Sequence, residues 1–542
     1  MRFSPATTTT GVSWLIGLLI VAGAAAQASR ILSTRSPTGE TPFHSANDRS
    51  RWCTVASLVE LGTYEIDAWQ AIRDPKTGRN TWNSIDKVRH RGWDGKQHYY
   101  SSKPPLLSTI YAGVYSVVRK LTGTNLTHRT FYAARLILLI VNLVPLIAFW
   151  WLCARWLRHA NLDDWSQVAM MTFLIWGTFV STFANTLNNH LPAALAAGGS
   201  IWLVDRMLLR NDLRLRWFVL AGLATGFTAA NELPALSWVA AVGGLLVILD
   251  WRRTLIGYAC GLLPIAIAFA VTTYLAHGSL RPPYAHRSLG PLVTSMPLEQ
   301  VGSSGKYNIQ AIADHLKTVS IALSGKLETR TSRTAGVVAL SDTNQQYQFA
   351  LTEKDGKLNI HHWDDWYDYP KSYWYPDQVK GVDRGERSRI AYALHALIGH
   401  HGVLSLTPFW LVAICGCWQV LAARSPKQSV SMRQRIWTDK QVQLMLAIVA
   451  TTVVCLAFYL LRPLQDRNYG GVSSGFRWMF WFTPLWFWLA AHGISLAKHD
   501  WKRRLVELAI GISVFSATYP WSNPWTNPWI MQYLEYIELV HY

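Results

Sequence analysis

The chain contains many apolar runs of about 20 residues, the length that an α-helix needs to cross a bilayer. Half of its 542 residues are hydrophobic and 15% are charged, whereas soluble domains carry roughly 25% charged residues. The sequence therefore predicts an all-α polytopic membrane protein rather than a water-soluble enzyme. About eleven candidate spans can be read from it: 11–29, 132–153, 167–187, 190–208, 216–231, 234–250, 254–276, 402–423, 442–461, 475–497 and 503–519.

The first run, 11–29, begins shortly after Met1 and Arg2 and ends in small residues, a pattern that cleaved signal peptides share. We expect an uncleaved membrane anchor instead, because the run is long and because retaining it gives a consistent orientation.

The orientation follows from the Lys and Arg residues, which accumulate in cytoplasmic loops. If the N-terminus is cytoplasmic, two short opposite loops, 185–190 and 231–234, contain no Lys or Arg, and 462–474 is the exception. The net charge of +19 then mostly reflects the orientation of the chain in the membrane, and no nucleic-acid partner is predicted. The basic residues of the cytoplasmic loops are Arg155, Arg158, Arg206, Arg210, Arg214, Arg216, Arg252, Arg253, Arg424, Lys427, Arg433, Arg435, Lys440, Lys498, Lys502, Arg503 and Arg504.

Two long segments then face outward, and the second is partly β. Tyr347, Phe349 and Leu351 alternate before the turn-forming residues 354–357, and 358–360 alternate after them, which predicts a hairpin. For the tryptophans of the C-terminal tail, a belt at the membrane interface is favoured over stacking of their rings on sugars. The expected organisation is a first transmembrane anchor at 1–29, an external loop at 30–130, transmembrane helices at 131–276, an external, partly β insertion at 277–400, transmembrane helices at 401–520 and an external Trp/Pro-rich tail at 521–542.

Metal-binding patterns are weak. The six cysteines form no disulfide framework and no CxxC pair. His395, His400 and His401 cluster before the span at 402, but a metal site needs further ligands in a suitable geometry. The sequence therefore predicts no metal site and no firm cofactor, and it leaves open a divalent metal that the motif does not support.

Asp48 is the most informative polar residue of the first external segment. It lies beside Arg49 and Arg51, where an amphipathic stretch begins. One interpretation is helix capping, a common role for Asp. The other is a carboxylate at the membrane surface that accepts a proton during transfer to a hydroxyl group. The residues alone leave both open.

A family resemblance favours the second interpretation. Asp48, Arg51 and Trp52, followed by Lys103-Pro104-Pro105 before the next apolar helix, resemble a motif of the GT-C glycosyltransferase superfamily. The branches that look most alike are the ArnT-like aminoarabinose transferases, the protein mannosyltransferases and the RgtA-like lipid-linked sugar transferases. Two further stretches are similar to that family, 222–236 and the Asn-Tyr-Gly-Gly stretch of 468–477.

The resemblance implies a GT-C-like bundle, a polyprenyl-phosphate sugar donor and inversion at the anomeric carbon. It implies that Asp48 is the catalytic base and that Lys103, Arg477 and Arg51 bind the donor phosphate, with snorkelling to the interface as the alternative for each cation. Arg49 and Ser102 stand where ArnT-like members carry acidic residues associated with metal binding. A metal at that place is therefore less favoured here.

Other polar residues at the outer ends of the spans are candidate substrate contacts, with helix capping as the alternative for the asparagines. They are Asn188, Asn189, His190, Glu232 and Tyr469.

The predicted function is transfer of a sugar from a polyprenyl phosphate to a lipid, glycan or protein acceptor at the outer face of an inner or plasma membrane. The alternatives are a polytopic transporter or lipid-carrier flippase, which would place functional polar residues at mid-membrane, and a non-catalytic GT-C relative.

Overall fold

A computed structural model describes residues 10–302, 306–344, 347–422 and 432–540. The chain divides into two compact units. The first combines the chain up to Asp48 with 114–268 and everything from Lys380 onward, and the second combines 49–113 with 269–379. Arg424 and Lys427, which we expect in a cytoplasmic loop, lie outside the described residues, as does the side chain of Arg433.

The first unit is helical. Its α-helices are Thr10–Ser33, Thr130–Leu138, Val144–Leu157, Asp164–Trp176, Phe179–Thr182, His190–Leu209, Leu215–Asn231, Leu236–Arg253, Ala259–His277, Arg389–Leu397, Val403–Leu406, Trp410–Ala422, Met432–Thr438, Lys440–Leu460, Thr483–Gly493, Asp500–Thr518 and Trp529–Tyr536, of which Ala259–His277 runs past the end of the unit. Two π-helical turns join neighbouring α-helices, Leu139–Leu143 and Thr254–Tyr258. Its 3₁₀ turns are Phe183–Asn185, Leu233–Ala235, Gly381–Arg384, Leu464–Asp466, Arg477–Phe482 and Ile494–Leu496.

Within the described residues, five helical segments are long and apolar enough to cross a membrane, as expected of an integral membrane protein. They are Thr10–Ser33, Thr130–Leu157, Asp164–Asn185, Leu233–His277 and Lys440–Leu460. The remaining expected spans also coincide with helices, but these are shorter or less apolar, so a count of eleven spans is not confirmed. Asp250 has non-helical backbone angles, which separates the expected spans 234–250 and 254–276.

Small residues allow the helices to approach closely, as in other membrane bundles. A Cβ atom on Gly416 would overlap the carbonyl oxygen of Leu489, and one on Gly493 would overlap that of Val412. Helices Trp410–Ala422 and Thr483–Gly493 therefore pack backbone against backbone, and an alanine at either glycine would force them apart.

The second unit is mixed α and β. Its helices are Ala46–Glu60, which starts just before the unit, Asp67–Ala71, Pro105–Thr122, which continues beyond it, Leu298–Val301 and Ile309–Thr318, with a 3₁₀ turn at Pro283–Ala285. Its strands are β1 Lys87–Arg91, β2 Gln97–Ser101, β3 Arg287–Pro297, β4 Leu327–Thr331, β5 Val338–Asp342, β6 Gln348–Lys354 and β7 Lys357–Asp365.

Strands β1 and β2 form an antiparallel pair, and the other five form one antiparallel sheet in the order β3-β7-β6-β5-β4. Lys354 of β6 pairs with Lys357 of β7 across the turn, so the hairpin predicted from the alternation is confirmed. One face of the sheet is buried against helix Ile309–Thr318, with Leu340, Phe349 and Leu358 at the core.

Candidate functional site

Asp48 lies in the first turn of helix Ala46–Glu60, but it is not the N-cap residue. Ser45 caps the helix, because its hydroxyl oxygen accepts the backbone N–H of Asp48 at 3.1 Å. The Asp48 side chain bonds back to the residue before Ser45, much as the third residue of a helix does in a capping box, so both interpretations of Asp48 stand. Its Oδ2 accepts the N–H of His44 and its Oδ1 accepts the N–H of Leu187, both at 3.0 Å. Two N–H donors suit an ionised carboxylate, which is acceptor-only.

Leu187 belongs to a loop, residues 183–189, that several buried amides hold in shape. The amide of Asn142 donates to the carbonyls of Ala184 and Thr186, at 2.9 and 3.0 Å. Asn188 donates to Thr186 at 3.0 Å and accepts the N–H of Leu191 at 2.9 Å, so it caps the following helix. These contacts fit the capping alternative for Asn188, while fixing the loop that holds Asp48.

The same loop leads to three predicted site residues that the structure brings together. Asn189 donates to Glu232 Oε1 at 2.7 Å. His190 Nδ1 lies against the same oxygen, and both His190 and Glu232 are buried. Glu232 ends helix Leu215–Asn231 and His190 begins helix His190–Leu209. Glu232 therefore has buried polar partners at the end of its helix.

Arg477 reaches the loop from its other side through a tryptophan. The guanidinium lies 4.4 Å from the ring centroid of Trp525, and the indole N–H of Trp525 donates to the hydroxyl of Thr186 at 3.1 Å. Arg477 also donates to the carbonyl of Gly470, and its N–H donates to the carbonyl of Tyr469 at 3.2 Å. One loop thus connects the Asp48 carboxylate with the Arg477 cation.

A small apolar cleft of about 20 Å³ is lined by residues that lie close to Arg477 in the sequence. Phe476 and Phe480, which flank Arg477 in the chain, line it together with Phe179, Leu406 and Trp410. Phe179, Leu406 and Phe480 also cluster with Trp525. The cleft is thus enclosed mainly by aromatic and aliphatic side chains.

The other two predicted phosphate ligands belong to the second unit. Lys103 Nζ lies 3.2 Å from Asp86 Oδ1, so the lysine has an acidic partner that the sequence did not indicate. Arg51 is buried on the helix that carries Asp48, and Trp52 beside it packs edge-on against Tyr111, with ring centroids 6.2 Å apart.

Three buried histidines near the site have lowered pKa values. Burial, together with the charge of Arg30, lowers the pKa of His44 to about 4. Burial, aided by neighbouring histidines, lowers the pKa of His400 to about 3 and that of His401 well below its ordinary value. These rings therefore favour the neutral form near pH 7, and the predicted carboxylates of the site are Asp48 and Glu232.

Two groups of side chains in the described ranges have the residue types and spacing to hold a metal ion. One is Glu386, His395 and His400, and the other is Glu65, Asp94 and His98. Glu386 lies in the charged stretch 383–387. Tyr469, a predicted substrate contact, is buried beside the first group, and its hydroxyl donates to Glu386 Oε1 at 3.5 Å.

The sequence analysis missed Trp525, Thr186, Asn142 and Arg30. Arg30 ends the first span and donates to the carbonyls of Ser181 and Thr182 at 3.1 and 2.8 Å, which anchors the start of the loop. A buried Arg or Asn in an apolar run is the one signal that could have identified two of them, because such residues must find polar partners. No local sequence pattern indicates that Trp525 belongs to the site.

No protein-family model matches the chain, and no curated protein matches it. Among solved structures it is similar to the S. cerevisiae protein O-mannosyltransferase Pmt1-Pmt2 complex bound to the sugar donor, with 11% sequence identity and a TM-score of 0.46, over 99% of this chain and 93% of that chain.

Proposed function

We propose that this protein is a membrane glycosyltransferase of the GT-C type that transfers a sugar from a polyprenyl phosphate to an acceptor at the outer face of the membrane. The observation that carries the proposal is the attachment of Asp48 and Arg477 to one loop, through Leu187 and through Trp525 with Thr186. A carboxylate and a cation at fixed positions are what this transfer requires.

The chemistry assigns opposite tasks to the two groups. The acceptor oxygen bonds to the anomeric carbon as the bond from that carbon to the phosphate oxygen breaks, with inversion. Asp48 takes the proton of the acceptor hydroxyl. The departing lipid phosphate carries the negative charge, which Arg477 neutralises in a site of low dielectric constant.

Arg51 and Lys103 are proposed as further phosphate ligands on the family resemblance alone. For Lys103 to serve, the phosphate must compete with Asp86 for the ammonium group.

Asp48 is completely buried in this structure. An acceptor hydroxyl can therefore reach it only after the covering segment has moved, and the 183–189 loop is the segment whose N–H occupies Oδ1. Asn189, His190, Glu232 and Tyr469 are proposed to contact the sugar or the acceptor once the site is open.

The rival activities make different predictions. A flippase moves the lipid-linked sugar across the bilayer without breaking its glycosidic phosphate bond. A non-catalytic relative binds a partner and leaves the donor intact. In contrast, the transferase consumes the donor and releases free polyprenyl phosphate.

The test uses the purified full-length protein in lipid vesicles with a panel of polyprenyl phosphates that carry radiolabelled sugars. Release of polyprenyl phosphate with transfer of label to a membrane extract supports the proposal. Mass spectrometry of a deletion strain identifies the natural donor, which should accumulate there. Movement of intact donor across vesicles, with no loss of the sugar–phosphate bond, would assign the flippase activity instead.

A further inference from the structure

Glu386, His395 and His400 converge although the sequence separates them. Each offers one ligand atom, and these atoms all lie within 4.8 Å of one another. Helix Arg389–Leu397 carries His395, Glu386 precedes this helix, and the turn after it brings His400 back, with the two imidazole ring centroids 4.0 Å apart. Local folding alone therefore assembles the group.

The residue types match a zinc site. Two His and one carboxylate form a common three-ligand set for zinc, with a fourth position for water. Ligands about 2.0–2.2 Å from a tetrahedral ion lie roughly 3.3 Å from one another. Side-chain shifts of about 1 Å would close the group around an ion, and the stacked rings of His395 and His400 would tilt to converge on it.

The surroundings hold the ligands in place. His400 is fully buried, and its Nδ1 lies 2.6 Å from Nδ1 of His401. The ring of His401 stacks on Tyr469 with centroids 4.0 Å apart, and the Tyr469 hydroxyl donates to Glu386. His395 Nδ1 is buried and has no hydrogen-bond partner among the described residues. Such outer contacts orient metal ligands and fix their tautomers.

We propose that Glu386, His395 and His400 bind one zinc-type divalent ion, which fixes the loop 468–471. The link to that loop is Tyr469, which contacts Glu386 and both His400 and His401. The neighbouring Gly470 carbonyl accepts from Arg477, so the ion would support the position of that guanidinium. The site does not depend on the glycosyltransferase activity and is tested without it.

The second group, Glu65, Asp94 and His98, provides a contrast. His98 Nδ1 lies 3.3 Å from Asp67, and its Nε2 lies 3.1 Å from Asp94. Both ring nitrogens thus face carboxylates, as expected of a charged imidazolium in an ion-pair cluster. A protonated imidazole has no lone pair for a metal, and this group serves as the control.

Metal content is the direct measurement. The full-length protein, purified in detergent and dialysed, is analysed for metals by mass spectrometry. We expect roughly one zinc per chain, at least a fivefold lower content in Glu386→Gln and His395→Ala, and no change in His98→Ala. Absence of metal from the wild-type protein, equal zinc in the ligand variants, or iron in place of zinc would overturn the assignment.

A second measurement covers the case in which a ligand variant fails to fold. The wild-type protein is treated with a chelator and followed by hydrogen exchange. Faster exchange at 468–471, reversed by added Zn²⁺, supports the proposal. Unchanged exchange after complete removal of zinc would show that the ion does not fix this loop. Neither experiment measures sugar transfer, so failure here leaves the proposed activity standing.

Discussion

The backbone N–H of Leu187 donates to Oδ1 of Asp48 at 3.0 Å, across 139 residues of sequence. Because Oδ2 accepts the N–H of His44 in the same way, an amide at this position would turn its NH₂ group toward one of the two N–H donors. Asp48→Asn therefore perturbs the loop as well as removing the proton acceptor, and any test of Asp48 needs a control for the loop.

Arg477→Ala should weaken binding of the polyprenyl-phosphate donor about tenfold to a hundredfold, because a hydrogen bond to a charged group contributes about 1.5–3 kcal/mol. Arg477→Lys should recover part of this loss, since it keeps the charge and loses the planar contact with Trp525. Retention of labelled donor by detergent-solubilised protein measures both. Arg503→Ala, which breaks a surface pair with Asp163, is the control and should bind normally. Normal binding by Arg477→Ala would place the phosphate elsewhere.

The buried pair of His190 and Glu232 should behave as one unit in stability. Removing either partner leaves the other buried without its counter-group, which costs about 3–5 kcal/mol. The double variant His190→Gln with Glu232→Gln should therefore lose less than the sum of the single losses, with a coupling of about 0.5–3 kcal/mol. Thermal unfolding of the four proteins in detergent measures this. If the stability losses of the two single variants add up to that of the double variant, His190 and Glu232 do not stabilise the protein through each other.

The second unit should lose stability in mild acid because of His90. This ring stacks on Tyr100 with centroids 4.2 Å apart, and burial lowers its pKa to about 4, with an opposing hydrogen bond to the Arg91 carbonyl. Its contribution to stability is complete above an unfolded pKa of about 6.5 and is lost as the pH falls toward 4. Limited proteolysis between pH 7 and pH 4 should show faster cleavage of β1 and β2 in acid.

His90→Phe keeps an aromatic ring in that stack and should reduce the acid sensitivity. His98→Gln is the control. Burial lowers the pKa of His98 and its neighbouring carboxylates raise it, with a net increase, so its loss should not protect against acid. Equal acid sensitivity in wild type and His90→Phe would assign the effect to other groups.

The expected orientation can be tested at two exposed positions. A cysteine at Lys354, beside the Gly356 turn, should react with a membrane-impermeant maleimide in intact cells. A cysteine at Lys498 should react only after the membrane is opened, because it lies in a loop that we expect to be cytoplasmic. The wild-type chain, with its native cysteines, gives the background. Labelling in the reverse order would invert the topology and move the site to the cytoplasmic face.

The sequence predicted what local patterns encode. The β6–β7 hairpin follows from alternation around a turn, and the break near Asp250 follows from two apolar runs separated by charged residues. Asn189, His190 and Glu232 could be nominated because polar residues at span ends need partners, and the structure makes them partners of one another.

Long-range contacts could not be predicted in this way. Trp525 donates to Thr186 across 339 residues, and no spacing rule connects a Pro-rich tail with a loop near the middle of the chain. The local partner of Asp48, His44, lies at the start of the helix, whereas its second partner, Leu187, is remote in the sequence. Trp525 is also buried rather than exposed at the membrane interface, because its ring packs against Arg477.

The most direct test of the central claim compares Asp48→Asn with Asn142→Ala. Both loosen the 183–189 loop, but only the first removes the carboxylate. We measure transfer of labelled sugar from polyprenyl phosphate, together with donor binding, at equal protein levels. If Asp48 is the base, its variant loses transfer by at least about a hundredfold while donor binding changes only a few-fold, and Asn142→Ala loses far less transfer. Equal losses of transfer in the two variants, or transfer by Asp48→Asn within a few-fold of wild type, would contradict the account.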